Sequence, residues 1–206
     1  AFIKFLTACA ARTGQLLNYA NIAEEVGVSQ VTIKNWISVL SRTGLIYILQ
    51  PYYSSHLTRA LKTPKLYFRD TGLACYLSKW NNYEAIESSA VAGNMFETFV
   101  VSEIIKSFTN EGMEYEFNLF YYRGKDKTKS QKDERENEID LIIEEDGVLY
   151  PIEIKKSASP NVSMAKAFDV LDKVVDKNRG TGVILCCYDQ KLYLKEDLVV
   201  LPIEFV

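Results

Sequence analysis

Over the first 43 residues, apolar positions recur three and four apart, the spacing of one helix face. They predict helices over 2–11, from Asn18 to Gly27, and from Ser29 to about Thr43. Ile22, Ala23 and Val26 form the inward stripe of the second helix, and Ile33, Trp36, Ile37 and Leu40 that of the third. Asn18 and Ser29 suit helix starts, and Gly27 suits a left-handed stop. Strands are expected at 45–49 and 65–69, either side of a Pro/Tyr/Ser-rich loop. A short helix should open at Asp70, a polar linker should cover 79–89, and a strong helix should span 93–109 with Phe96, Phe99, Val100, Ile104 and Phe108 for burial.

Beyond that helix the pattern predicts a strand at 119–123 and a charged loop at 124–137. Two alternating runs then flank Asp146-Gly147, a pair that favours a tight hairpin turn. An amphipathic helix follows at 164–177, then an unbroken apolar strand at 182–188 of the kind buried on both faces. Edge strands are expected at 192–194 and 198–205. This order defines an α/β fold with a mixed sheet.

The hairpin carries the chemistry. With Asp146 and Gly147 as the loop, Glu145 faces Val148, Asp140 faces Glu153 and Glu138 faces Lys155. Period-two alternation puts Ile139, Leu141, Ile143, Ile152 and Ile154 on one face, and Asp140, Glu153 and Lys155 on the other. Two carboxylates directly opposite repel and destabilise the pair. A divalent cation offsets this, and oxygen ligands suit Mg²⁺ or Mn²⁺. A solvated sheet face with one cross-strand ion network is the alternative.

Charge divides the chain. Residues 1–80 hold nine Lys/Arg against three Asp/Glu, and the remainder fifteen against twenty-four. A basic first part and an acidic second part argue for two domains, 1–80 and 81–206. In the first, helix, Gly-Val-Ser and helix match a helix-turn-helix, and the two following strands make a wing. Gln30, Thr32, Lys34, Asn35 and Ser38 are of the types that touch phosphates and base edges, and the wing loop adds His56, Arg59 and Lys62. DNA is therefore an expected partner, and service as a protein-binding or hinge element is the alternative. Four cysteines without C-x-x-C spacing read as reduced thiols of a cytoplasmic protein. A single histidine disfavours a His-based zinc site or triad. No apolar stretch approaches a membrane span, and Gly124-Lys125-Asp126 is not a phosphate-binding loop, so no nucleotide site is expected.

Glu97 on a helix, Asp140 on a strand and Glu153-Ile154-Lys155 on the next resemble the PD-(D/E)XK nuclease superfamily over 91–188. The resemblance implies a restriction-endonuclease-like domain in which Asp140 and Glu153 are metal ligands, helped by the Ile154 carbonyl. Lys155 would orient or activate the attacking water, and Glu97 would serve a second metal or a water on it. Asp140 follows Ile139, where the motif's name has Pro.

Asn18-Tyr19-Ala20-Asn21-Ile22-Ala23, Pro64 through Leu73, Gly93-Asn94-Met95-Phe96-Glu97 and Glu138 through Lys155 also resemble, in that order, the C-terminal region of a prokaryotic family of AAA-type P-loop ATPases. That implies an N-terminal ATPase module as partner, with an oligomer allowed. The expected function is a metal-dependent DNA phosphodiesterase. The alternative is a non-catalytic module that directs the ATPase to a DNA or protein partner, and a transcriptional regulator ranks last.

Overall fold

The computed structural model describes residues 1–53, 62–125, 136–174 and 177–206. The chain forms two compact units, one of residues 1–49 and 63–103, the other of residues 50–62 and 104–206.

In the first unit, α1 (Phe2–Ala10), α2 (Tyr19–Val26), α3 (Gln30–Arg42), α4 (Thr71–Leu77) and α5 (Tyr83–Glu87) accompany a three-stranded sheet. Its strands β1 (Gln15–Leu16), β2 (Ile46–Leu49) and β3 (Lys65–Phe68) pair antiparallel in the order β1-β3-β2. The caps follow from side-chain chemistry. Asn18 accepts the Asn21 N–H, Ser29 that of Thr32 and Asp70 that of Leu73, while Gly27 ends α2 at φ 80°. Phe5, Ile22, Ile33, Ile37, Leu40, Ile46, Leu66 and Phe68 form the core. The expected linker at 79–89 is structured instead. It contains α5, capped by Asn82, because Trp80 and Ile86 find apolar partners on this core.

Cys9 is fully buried here, and burial pushes its thiol up to about 12. Above pH 9.0, its ordinary value, the unfolded chain releases this proton while the folded one keeps it. Stability should therefore fall from pH 9 toward 12. At pH 8 the Cys9 thiol should resist alkylation until the chain unfolds, whereas exposed Cys187 should react at once. Mass spectrometry of the alkylated peptides checks this.

Helix α6 (Ala92–Asn110) contains the third chain boundary between the units. The second unit continues with α7 (Tyr115–Asn118) and a seven-stranded mixed sheet. Its path is β4 (Leu119–Lys125), β5 (Glu136–Glu145), β6 (Val148–Lys155), β8 (Gly182–Cys186), β10 (Leu198–Pro202) and β9 (Leu192–Lys195). The short β7 (Asn178–Arg179) pairs with β6. β4, β5 and β6 run antiparallel, whereas β8 is parallel to both β6 and β10. A 3₁₀ segment, Val162–Val170, leads into α8 (Leu171–Val174) where a longer α-helix was expected, and Phe168 and Leu171 join the core all the same. β10 is interior rather than an edge strand, since its Leu198, Val199 and Val200 are buried.

The residues after β2 belong to this second unit. Tyr52 N–H donates to the Tyr121 carbonyl and Tyr121 N–H to that of Gln50, so Pro51 bridges Tyr121 in parallel. Tyr52 is buried, edge-on to Phe120 with ring centroids 5.5 Å apart.

Candidate functional site

The β5–β6 turn has the expected form. Asp146 and Gly147 adopt φ 49° and 78°, the paired left-handed angles of a tight hairpin. Pairing runs from Glu145 opposite Val148 to Leu141 opposite Ile152, which brings Asp140 and Glu153 to the next position. There the ladder ends. The Ile154 N–H donates instead to Asp140 Oδ2 at 2.9 Å, so a carboxylate takes the place of a backbone carbonyl.

The strands part because each follows another neighbour. β6 stays in register with β8, with Glu153 beside Ile184 and Lys155 beside Cys186. β5 follows β4, but its register slips. Phe120 pairs with Ile142 and Tyr122 with Ile139, leaving Asp140 and Leu141 together opposite Tyr121. Such a bulge bends its strand and re-aims the side chains at the extra residue.

The bulge overturns the simple alternation expected for this hairpin. Ile139 and Ile142, three residues apart, both enter the core formed with Phe120, Tyr122, Leu149, Ile184 and Phe168. Leu141, Ile152 and Ile154 are buried too. Asp140 and Glu153 are each only 7% exposed.

Lys155 joins the two acids. Its Nζ lies 2.5 Å from Glu153 Oε1 and 3.4 Å from Asp140 Oδ2, so those oxygens are no further apart than the sum of the two distances. Burial pulls the Lys155 ammonium down, but attraction to Asp140 and Glu153 and hydrogen bonds to both carry it above its ordinary value. The Lys155 side chain is 39% exposed, so the cluster opens to solvent along it. Two hard-oxygen carboxylates against one ammonium suit Mg²⁺ or Mn²⁺ as donors. No group of three or more His, Cys, Asp or Glu side chains converges among the described residues.

Glu97 lies on α6 in the first unit. Its Oε1 accepts from the Tyr67 hydroxyl at 2.6 Å and from Lys65 Nζ at 2.9 Å, and Lys65 is almost wholly buried. Nearby, the Phe68 N–H donates to Thr13 Oγ1, which lies 2.9 Å from the Thr98 hydroxyl. Sequence reasoning singled out Glu97 but not these partners, although Lys65 and Tyr67 alternate along one strand.

The expected nucleic-acid residues divide. Gln30 and Lys34, one helical turn apart, line an open cleft of about 370 Å³ with Leu16, Leu17, Asn18, Tyr19, Ala20 and Thr63. Lys34 Nζ lies 5.7 Å from the centre of the Tyr19 ring. Asn35 is exposed, whereas the Thr32 hydroxyl is 2.9 Å from that of Ser29. Lys62, exposed, lies over the Tyr53 ring in the second unit. His56 and Arg59 lie outside the described residues.

These features define a chain of two units, one carrying a polar cleft on α3 and one carrying a buried carboxylate–ammonium cluster in a mixed sheet. Over residues 92–206 it belongs to the family described as a domain of unknown function, DUF4143. Residues 1–84 match a second domain of unknown function, DUF8612. The chain is similar to the uncharacterized proteins Mb2031c of Mycobacterium bovis and Rv2008c of Mycobacterium tuberculosis. Each is 26% identical to it over 191 residues, covering 93% of this chain. The match takes up 39% of the length of each relative. No solved structure matches the chain. No described helix is long and apolar enough to cross a membrane.

Proposed function

We propose that the second unit is a PD-(D/E)XK-type phosphodiesterase that cleaves DNA with Mg²⁺ or Mn²⁺. On this reading the first unit is a winged helix-turn-helix that holds the DNA, and the whole belongs to an AAA-type ATPase of the cytoplasm. The observation that supports it most is the convergence of Asp140, Glu153 and Lys155 where β5 and β6 part. A purely structural sheet has no need to bury two opposed carboxylates there.

Asp140 and Glu153 would hold the cation. Bound there, it would polarise the scissile phosphate and lower the pKa of its water. Asp140 is held in place by the Ile154 N–H, so its geometry is set before any ligand arrives. Lys155, the flexible member, would align the attacking water and offset charge growing on the phosphate. Gln30, Thr32, Lys34 and Asn35 would grip the duplex through its phosphates.

Supercoiled and branched DNA incubated with Mg²⁺ or Mn²⁺ should be cut, and the cutting should vanish in EDTA and in Asp140→Ala. Intact DNA across several substrates, with no effect of either metal on stability, would instead favour a non-catalytic module that directs the ATPase to its partner.

A further inference from the structure

We propose that the Lys155 ammonium is the resident counter-ion of the Asp140–Glu153 pair, and that a divalent cation enters by displacing it. Lysine and metal are then alternating occupants of one position. This rests on the metal-site reading above.

Opposed carboxylates this well buried need positive charge between them. The Lys155 ammonium supplies it, within reach of Oδ2 of Asp140 and Oε1 of Glu153 at once. A cation held by those two oxygens would take the acceptors that Lys155 now engages, so the ammonium would have to withdraw for it to bind.

The two sides of the exchange differ in freedom. Asp140 is anchored by the Ile154 N–H, and Glu153 sits in a strand paired with β8. Lys155 hangs on a four-carbon stem with more than a third of its side chain in solvent, and can swing outward. Charge supplies the drive, since one ammonium balances one of two carboxylates and a divalent ion balances both.

The test uses the whole chain, with Mn²⁺ alone as the probe, read by calorimetric titration and thermal unfolding. Lys155→Met should lower the melting temperature in EDTA by about 5 °C. It should also bind Mn²⁺ about tenfold more tightly than wild type, because an ammonium no longer competes. Mn²⁺ should restore most of the lost stability. Lys155→Arg, which keeps the charge, should stay near wild type in EDTA and bind Mn²⁺ no more tightly. Asp140→Asn should abolish binding in either background.

A Lys155→Met protein that binds Mn²⁺ no more tightly than wild type, or whose lost stability Mn²⁺ leaves untouched, overturns the exchange. The metal site itself survives that result if Asp140→Asn still removes binding. Absence of any Asp140-dependent Mn²⁺ binding, in wild type and Lys155→Met alike, sinks both.

Discussion

Tyr52→Ala should destabilise the second unit by about 3–5 kcal/mol, the range for emptying a buried aromatic site. The ring is 2% exposed and packs against Phe120 in the core that also holds Ile139 and Ile142. Its backbone pairs with Tyr121, the residue facing the bulge at Asp140 and Leu141. Loss of the ring should thus loosen the β4 edge next to the candidate site. Tyr52→Phe should cost far less, because the ring volume and edge-on contact remain. Urea unfolding of the three proteins decides the matter. Equal midpoints for wild type and Tyr52→Ala would mean that residues 50–52 lie on the sheet without supporting it. Hydrogen exchange should show the loss first in β4, at the Tyr121 amide that donates to the Gln50 carbonyl.

Lys65→Met should cost a comparable amount, about 3–5 kcal/mol, because it strips a nearly buried carboxylate of its ion-pair partner. Lys65 is 3% exposed and the Glu97 side chain 13%. Replacing the pair together, Lys65→Met with Glu97→Met, should recover much of the loss, since apolar side chains of similar volume often match a buried ion pair. The cycle measures their coupling without a nuclease assay. Losses that simply add would show that the two charges stand apart in solution. If the double variant is stable yet fails to cut DNA that wild type cuts, Glu97 has a role in the chemistry besides its pairing.

Some of this architecture was legible because single residue types carry it. Asp146-Gly147 reads as a turn since few other pairs accept positive φ at both positions, and counting outward from it brings Asp140 to Glu153. Asn18, Ser29 and Asp70 announce helix starts by the chemistry of their own side chains. Other features depend on distant neighbours. The bulge exists only because β4 pairs with β5 out of step, so Ile139 and Ile142 share a core that alternation would divide. The apolar stripe from Met164 onward suits three residues per turn nearly as well as 3.6, and the structure takes the tighter winding through Val170. Glu97 drew notice by standing beside an apolar stripe, but Lys65 and Tyr67 lie thirty residues upstream with nothing local to link them to it. The interior place of β10 had a visible sign, the run Leu198-Val199-Val200-Leu201, which resembles β8 more than an edge.

The assignment of residues 50–62 to the second unit also has a bearing on synthesis. As the chain leaves the ribosome, Tyr52 emerges about seventy residues ahead of Phe120 and Tyr121, against which it finally rests. At roughly 5–20 residues per second, that aromatic segment waits several seconds with no sheet to cover it. During that interval it is a sticky stretch held between two halves of an already folding neighbour. A pause in translation shortly before residue 119 would lengthen the exposure and favour capture by chaperones or by another nascent copy.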